Sequence, residues 1–220
     1  MARLAAEWLA DEVRLGATLR GTCALGLAGG STPRPAYEAL AQPPLEAAIP
    51  WDRVQVFFGD ERAVPPDHPD SNFRMVNETL LSRVPLPAEN VHRMQADADD
   101  LERAADRYAA LLPRALDVLV LGIGPDGHTA SLFPGSPALR ERTRRVVPAR
   151  APKPPERRLT ITPRVIGAAR RILVLAAGGD KAEAVARALK AAARADDVPA
   201  SLARDGVWFL DRAAARLLAD

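Results

Sequence analysis

Residues 122–128 read Gly-Ile-Gly-Pro-Asp-Gly-His and follow an apolar run, so a glycine-rich loop carries both a carboxylate and an imidazole. His128 is one of three histidines in the chain. An imidazole titrates near neutral pH and can therefore take a proton from water. Asp126 could orient or tune that base. The motif predicts a catalytic histidine on a tight loop, with a capping or packing histidine as the alternative.

The glycines of this loop also match Gly-x-Gly-x-x-Gly, the spacing of a dinucleotide-binding turn. Such a turn normally belongs to the first βα unit, and an acidic residue follows about 20 positions later. Here the motif lies past the middle of the chain, Pro125 interrupts it, and residues 140–150 are mostly basic or apolar. We therefore expect no nicotinamide cofactor. The glycines are better interpreted as a means of projecting Asp126 and His128 into a cleft.

A second glycine turn, Ala-Gly-Gly-Ser-Thr-Pro at residues 28–33, precedes a predicted helix. Gly29 and Gly30 let backbone N–H groups approach an anion, Ser31 adds a hydroxyl, and the helix dipole favours negative charge there. The segment predicts a phosphate cradle, although a plain turn with a helix cap fits these residues equally well. Ser31 lies in a near match to a nucleophile elbow, but Pro33 replaces the last glycine, so no serine nucleophile is expected.

Charged side chains follow two further apolar runs. Asp60 and Arg62 come just past a predicted buried strand. Arg62 could clamp a phosphate or carboxylate with its planar guanidinium, and Asp60 could act as a base or hold a catalytic group in place. Lys181 follows a glycine pair at a predicted helix start, where a cation opposes the helix dipole unless it faces a bound anion. Solvated side chains are the alternative for both segments.

Helix-like and strand-like segments alternate along the chain. A first helix is predicted over residues 3–20. The apolar residues at helical spacing that should form its packing face are Leu4, Ala5, Trp8, Leu9, Val13 and Leu15. One strand is predicted over 54–62, ending in the charged triplet, and a proline-rich loop over 148–155 separates two shorter strands. These segments must position the residues that carry chemistry.

Two helix starts are predicted from their capping residues. Ser31 or Thr32 should cap the second helix, and residues 180–193 should form a helix near the end of the chain. Continuous apolar strands separated by helices predict a parallel sheet covered on both faces, a three-layer α/β/α fold of Rossmann-like type. Because ligands bind beyond the carboxyl ends of parallel strands, the four strand ends described above should form one site.

Composition limits the remaining possibilities. A length of 220 residues suits one α/β domain over 1–220, and a net charge of +2 spread along the chain disfavours nucleic-acid binding. The single cysteine, Cys23, cannot form an internal disulfide, and no signal-like or membrane-spanning segment is visible, so we expect a cytoplasmic protein. The histidines and cysteine are too few for common metal motifs, so no metal is expected. No amphipathic face is left over, which favours a monomer.

The chain resembles the 6-phosphogluconolactonase family in five segments that occur in order: LAGGSTPRPAYEAL, FFGDERAVPPDHPDSNFRM, LGIGPDGHTASLFPGSPAL, RRLTIT and GGDKAEA. The resemblance implies the three-layer α/β fold shared with glucosamine-6-phosphate deaminase and ribose-5-phosphate isomerase. It also implies hydrolysis of 6-phospho-D-glucono-1,5-lactone to 6-phospho-D-gluconate in the oxidative pentose phosphate pathway. The family needs neither a metal nor an organic cofactor, and its substrate is a small sugar phosphate.

The same resemblance implies roles for individual positions. His128 matches the base that activates water, with Asp126 and Asp60 near it to orient or tune it. Arg62 is similar to a mobile arginine that binds substrate. The positions around the phosphate are Gly29, Gly30, Ser31, Arg158 and Lys181, with Arg157 as the alternative to Arg158.

Two other functions stay open at this point. Glucosamine-6-phosphate deaminase shares the glycine loops, but it resembles GHIAFNEPGS where this chain has GHTASLFPGS. Its catalytic glutamate is therefore replaced in the neighbourhood of Leu132 and Phe133. A non-enzymatic sugar-phosphate sensor is the other alternative. It would keep the anion-binding loops but would usually lose His128 or Asp60, and both are present.

Overall fold

A computed structural model describes residues 1–218; positions 219 and 220, the end of the predicted domain and of its terminal helix, lie outside the described residues. The helices are α1 Ala2–Arg20, α2 Arg34–Leu40, α3 Leu45–Ala48, α4 Asn72–Thr79, α5 Leu101–Leu111, α6 Pro163–Ala168, α7 Ala182–Ala188 and α8 Arg212–Ala215. The strands are β1 Cys23–Leu27, β2 Val54–Phe58, β3 Asp60–Arg62, β4 Val118–Gly122, β5 Val146–Arg150, β6 Arg157–Ile161, β7 Arg171–Ala176 and β8 Val207–Leu210.

A parallel sheet of five strands, in the order β2-β1-β4-β7-β8, forms the centre of the fold. Its strands are apolar on both faces: Leu25 in β1, Leu119 in β4 and Leu173 in β7 have no exposed surface. Helices flank the sheet, and α1 packs against β1 and β4. Strands that are buried on both faces need helices on both sides, as the continuous apolar runs predict. The predicted α/β/α architecture is confirmed.

A second, antiparallel sheet with the order β3-β6-β5 accompanies the main one, and the sequence pattern did not predict it. The single strand predicted over 54–62 is in fact two strands in different sheets, with Gly59 between them. The backbone N–H of Gly59 donates to Leu27 in the main sheet at 3.0 Å, and its carbonyl accepts from Ile161 in the second sheet at 2.9 Å. The chain therefore crosses from one sheet to the other directly before Asp60.

The proline-rich segment also differs from its prediction as a loop over 148–155. Strand β5 continues through Pro148 to Arg150, and the loop begins only afterwards. Proline has no N–H to donate to a ladder, so it is tolerated in strands at a sheet edge. β5 is an edge strand of the antiparallel sheet, which allows Pro148 to remain within it.

Helix α1 packs through only part of the face predicted for it. Leu4 and Leu15 are 59% and 46% exposed, whereas Ala5, Leu9 and Val13 are fully buried. The packed stripe is therefore built largely from small side chains, which lets the helix approach the sheet closely. Within residues 1–218, no helix is long and apolar enough to cross a membrane.

Two predicted helix starts are wrong in detail. Neither Ser31 nor Thr32 caps α2, because the residue before its first turn is Pro33 and no side chain accepts from its amides. The predicted helix over 180–193 is shorter: a turn of 3-10 helix leads into α7, which ends at Ala188. By contrast, Ser71 caps α4, because its hydroxyl accepts the backbone N–H of Arg74.

Candidate active site

A cleft of about 200 Å³ lies beyond the carboxyl ends of β1, β4 and β7 and beside the start of β3. It brings together all four strand ends that the sequence marks as unusual. Seven residues predicted for the site line it: Gly29, Gly30, Ser31, Asp60, Arg62, His128 and Lys181. This convergence follows from the topology, because neighbouring parallel strands end at the same edge of the sheet.

His128 is held by Asp126 through two hydrogen bonds. The imidazole Nδ1 lies 2.5 Å from Asp126 Oδ1, and the same oxygen accepts the backbone N–H of His128 at 3.1 Å. The ring also packs against Phe133, with centroids 4.6 Å apart. Among residues 1–218, Nε2 has no hydrogen-bond partner. With Nδ1 occupied, the nitrogen available for chemistry is Nε2.

The pKa of the Asp126 carboxyl reflects this contact. Partial burial would raise the pKa, but the hydrogen bonds from the His128 ring and backbone outweigh it and hold the pKa below its usual value. Asp126 therefore stays ionised well into the acid range. An ionised carboxylate on Nδ1 fixes the tautomer and orientation of an imidazole and stabilises the imidazolium form.

The glycines of the 122–128 loop make room for this pair. A β-carbon on Gly124 would lie 2.1 Å from His128 Nδ1, so any side chain there would displace the ring. Gly127 has a φ of +90°, a left-handed conformation that residues with a β-carbon rarely adopt. Gly124 and Gly127 thus allow the loop to hold the imidazole in place. This agrees with the interpretation of the motif as a loop that projects Asp126 and His128.

Asp60 is embedded in a buried hydrogen-bond network. Ser131 Oγ donates to Asp60 Oδ2 at 2.6 Å, and Asn72 Nδ2 donates to Asp60 Oδ1 at 3.2 Å and to its carbonyl at 2.9 Å. All three residues are less than 10% exposed. Both carboxylate oxygens therefore have donors, as a buried ionised carboxylate requires. Asp126, and not Asp60, contacts the imidazole of His128.

Ser131 and Asn72 are functional candidates that the sequence reasoning missed. The sequence pattern assigned neither residue to the site. Ser131 is 71 positions from Asp60, and no local periodicity reports a contact at that separation. The signal that could have indicated Ser131 is its place within the same loop as His128.

Glu61 anchors the start of α4 and so fixes the backbone next to Asp60. Its carboxylate accepts the backbone N–H groups of Arg62, Asn72 and Phe73, each at 2.8 Å, and the hydroxyl of Ser71 at 3.1 Å. Burial raises the pKa of Glu61, and the backbone hydrogen bonds oppose that rise. Glu61 is 2% exposed and faces away from solvent, which indicates a structural role.

Arg62 reaches the cleft with part of its guanidinium unpaired. Nη1 donates to the carbonyl of Asp70 at 2.5 Å. Nε is buried and has no hydrogen-bond partner among the described residues. Leaving a buried donor unpaired is costly, and bound ligand oxygens commonly remove that cost. Arg62 thus lines the cleft with a guanidinium group that is only partly hydrogen-bonded.

The other end of the cleft combines the first glycine turn with Lys181. Gly30 has a φ of +94°, and the hydroxyl of Tyr37 clamps the turn by bonding both the N–H and the carbonyl of Ala28. Lys181 Nζ lies 3.1 Å from Asp180 Oδ2, and its side chain is 18% exposed. The Tyr37 hydroxyl thus restrains this turn, which lines the same cleft as the partly buried Lys181.

The structure does not place Arg158 in the lining of this cleft. Arg158 pairs with Arg62 across β3 and β6, is 8% exposed, and donates from Nε to the carbonyl of Pro155 at 2.6 Å. Burial, followed by the charge of Arg62, lowers the pKa of Arg158. Arg157 points elsewhere, towards the carbonyl of Asp99. Of the two, Arg158 is the one beside a cleft residue.

Residues 1–218 contain no group of three or more His, Cys, Asp or Glu side chains arranged to hold a metal ion. The chemistry that the described site offers is an oriented histidine, a buried carboxyl group and a glycine turn near two basic side chains. The fold and the cleft together define an α/β protein whose site suits a small anionic substrate.

The chain belongs to the family of glucosamine-6-phosphate isomerases and 6-phosphogluconolactonases, whose model matches residues 1–209. It is 40% identical to a 6-phosphogluconolactonase of Streptomyces coelicolor, over 99% of this chain and 90% of the relative. It is 34% identical to a 6-phosphogluconolactonase of Haemophilus influenzae, over 99% and 97%.

Two solved structures show the same fold. A 6-phosphogluconolactonase from Trypanosoma brucei superimposes with a TM-score of 0.84 at 30% identity, covering 100% of this chain and 96% of that one. A monomeric glucosamine-6-phosphate deaminase also superimposes with a TM-score of 0.84, at 28% identity and with coverage of 98% and 95%. Fold similarity alone therefore does not separate the two activities.

Proposed function

We propose that this protein hydrolyses 6-phospho-D-glucono-1,5-lactone to 6-phospho-D-gluconate, a step of the oxidative pentose phosphate pathway. The observation that carries the proposal is the contact between His128 and Asp126, which leaves Nε2 as the reactive nitrogen of a cleft residue. The family membership and the full-length similarity to 6-phosphogluconolactonases support it.

Nε2 of His128 acts as the general base. It takes a proton from a water molecule as that water attacks the lactone carbonyl carbon, and a tetrahedral oxyanion forms. Asp126 stabilises the resulting imidazolium. The imidazolium then returns the proton to the ring oxygen as the bond between that oxygen and the carbonyl carbon breaks. A lactone carbonyl is electrophilic enough for direct attack by water, so the chain needs no covalent nucleophile.

The phosphate of the substrate is proposed to bind at the end of the cleft formed by the first glycine turn. Backbone N–H groups of Gly29 and Gly30, the Ser31 hydroxyl and the Lys181 ammonium are the donors there. Binding energy from a remote phosphate orients the lactone for attack. Donors to the oxyanion are the guanidinium group of Arg62 or backbone amides of the 124–131 loop. Arg158, the partner of Arg62 across β3 and β6, adds positive charge next to Arg62.

Asp60 is proposed to position the substrate from the opposite wall of the cleft. Both its oxygens already accept hydrogen bonds from within the protein, which leaves the carboxyl group little freedom to move. A carboxylate held in place can accept a hydrogen bond from a substrate hydroxyl. It can also stabilise positive charge on His128 during the reaction. It is not proposed as the base.

The experiment measures hydrolysis of the lactone, generated in situ near pH 7, with the spontaneous rate subtracted. His128→Ala should lower kcat/KM by roughly 10²–10⁴, because general-base catalysis typically supplies that factor. His92→Gln is the matched control, since His92 stacks on Phe57 outside the cleft. No acceleration by the wild-type protein would rule out the proposed activity. If the His128→Ala variant still accelerated hydrolysis as the wild type does, the general base would be a carboxylate and not His128.

Glucosamine-6-phosphate deaminase is the second candidate, because the family and the fold include it. Two features disfavour it. Where the deaminase motif has its glutamate, this chain has Leu132, which is fully buried, and Phe133, which packs on the His128 ring. Neither side chain can transfer a proton. Ammonia release from glucosamine 6-phosphate, measured in the same preparations, distinguishes the two activities.

We also propose that the protein acts as a monomer in the cytoplasm. The one cysteine, Cys23, is buried, and burial raises its pKa to about 12, which keeps the thiol unreactive. Light scattering on the purified protein tests the monomer, and fractionation of source cells tests the compartment.

A further inference from the structure

Three arginines surround a second, smaller pocket. Arg114, Arg145 and Arg164 line a space of about 200 Å³ together with Val165 and Ala168. No carboxylate is among the described residues that line it. A concave surface with three guanidinium groups and no acid is a concentration of positive charge, which nothing in the proposed reaction uses.

The pocket lies at the opposite edge of the sheet from the catalytic cleft. Arg114 precedes the first residue of β4, and Ala168 precedes the first residue of β7. Because β4 and β7 are parallel, both positions belong to the amino-terminal edge. His128 and Lys181 follow the carboxyl ends of the same two strands. A ligand here would not compete directly with the substrate.

Two of the guanidinium groups are fixed by backbone carbonyls. Arg145 donates to the carbonyl of Leu112 at 2.8 Å and also to that of Pro113, just beyond α5. Arg164 donates to the carbonyl of Thr143 at 2.8 Å. Carbonyl groups carry only partial negative charge, so these contacts orient the guanidinium groups without neutralising them.

Two neighbouring arginines do have acidic partners. Arg144 pairs with Glu102 at 2.7 Å and Arg170 with Asp117 at 3.2 Å. Within residues 1–218, none of the three pocket arginines has a carboxylate at ion-pair distance. Burial, and then the charge of Arg164, lowers the pKa of Arg145, as expected for two cations without an intervening anion.

We propose that this arginine pocket binds phosphate, either free or as a small phosphomonoester. Planar guanidinium groups match the geometry of tetrahedral oxyanions and bind them through paired hydrogen bonds. The volume is below the roughly 300–1,000 Å³ of pockets for larger ligands, which favours a small oxyanion over a nucleotide.

The test uses a background in which the catalytic cleft is weakened by Arg62→Ala and Lys181→Ala. Inorganic phosphate, and separately glycerol 3-phosphate, are titrated by calorimetry at constant ionic strength. Binding should persist in the background. Adding Arg114→Gln should weaken it roughly tenfold, because a hydrogen bond to a charged group is lost. Arg114 makes no hydrogen bond among the described residues, so its replacement should not disturb folding.

Arg83→Gln is the matched control, an exposed arginine outside both pockets. It should leave the dissociation constant within about twofold of the background. Equal loss in Arg114→Gln and Arg83→Gln would overturn the proposal, because the effect would then be general charge. Absence of binding in the background would also overturn it. If inorganic phosphate binds more tightly, the ligand is free phosphate. If glycerol 3-phosphate binds more tightly, the ligand is a phosphate ester.

Discussion

Gly29 and Asn72 touch so closely that only a hydrogen atom fits between them. A β-carbon on Gly29 would lie 1.8 Å from Asn72 Oδ1. Asn72 in turn holds Asp60 through its amide nitrogen. The first glycine turn is therefore coupled to the buried carboxylate of the cleft through one side chain. The absence of a side chain at Gly29 therefore leaves room for the residue that positions Asp60.

Replacing Gly29 by alanine should displace Asn72 and release Asp60. We expect kcat/KM to fall at least tenfold, and the free energy of unfolding to fall by about 1–3 kcal/mol, because buried hydrogen bonds are lost and the site is overpacked. Lactone hydrolysis and urea unfolding measure the two effects. Gly167→Ala is the control, since a β-carbon there meets nothing within 4 Å. Unchanged activity in Gly29→Ala would show that Asn72 does not position Asp60.

Gly124→Ala tests whether the glycine motif exists for the histidine. The new β-carbon would lie 2.1 Å from His128 Nδ1 and must push the ring away from Asp126. We expect kcat to fall by at least tenfold while the affinity for the phosphate end of the substrate changes little. Steady-state kinetics separate the two. A variant that keeps its kcat would contradict the assignment of Gly124 as the residue that makes room for the imidazole.

It was predictable from the sequence that the strand ends form one site. The hydrogen bonds between side chains within that site were not predictable. Strand ends rich in glycine and charge could be placed together because parallel strands share an edge. The bonds from Ser131 and Asn72 to Asp60 depend on how loops meet after folding, and periodicity carries no such information. The break at Gly59 was hidden for a related reason: the pairing that assigns two consecutive short strands to different sheets is made with distant segments of the chain.

The hydrogen bonds from His128 should make stability depend on pH through Asp126. The pKa of Asp126 is lowered in the folded protein, so its contribution to stability is present above the unfolded pKa and is lost as pH falls through the folded value. Asp126→Asn should remove this dependence. We expect the difference in melting temperature between wild type and variant to shrink as pH falls from about 5 to about 2. A difference that stays constant would mean that the contact contributes no proton-linked stability.

Ser131→Ala should separate a positioning role from a purely structural one. It removes the 2.6 Å hydrogen bond to Asp60 and leaves one oxygen of a buried carboxylate without a donor. Thr129→Val is the matched control, because Thr129 is equally buried in the same loop but donates to the carbonyl of Gly122. Both variants should lose about 1 kcal/mol or somewhat more of unfolding free energy.

Only Ser131→Ala should also lower kcat, because only there does the carboxylate facing the cleft lose its fixed orientation. We expect a fall of roughly tenfold, corresponding to one hydrogen bond to a charged group. Equal kcat values in the two variants would show that Ser131 has a structural role and does not position Asp60. A fall in Thr129→Val alone would instead place the critical restraint on the loop backbone that carries His128, since Thr129 is the residue that follows it.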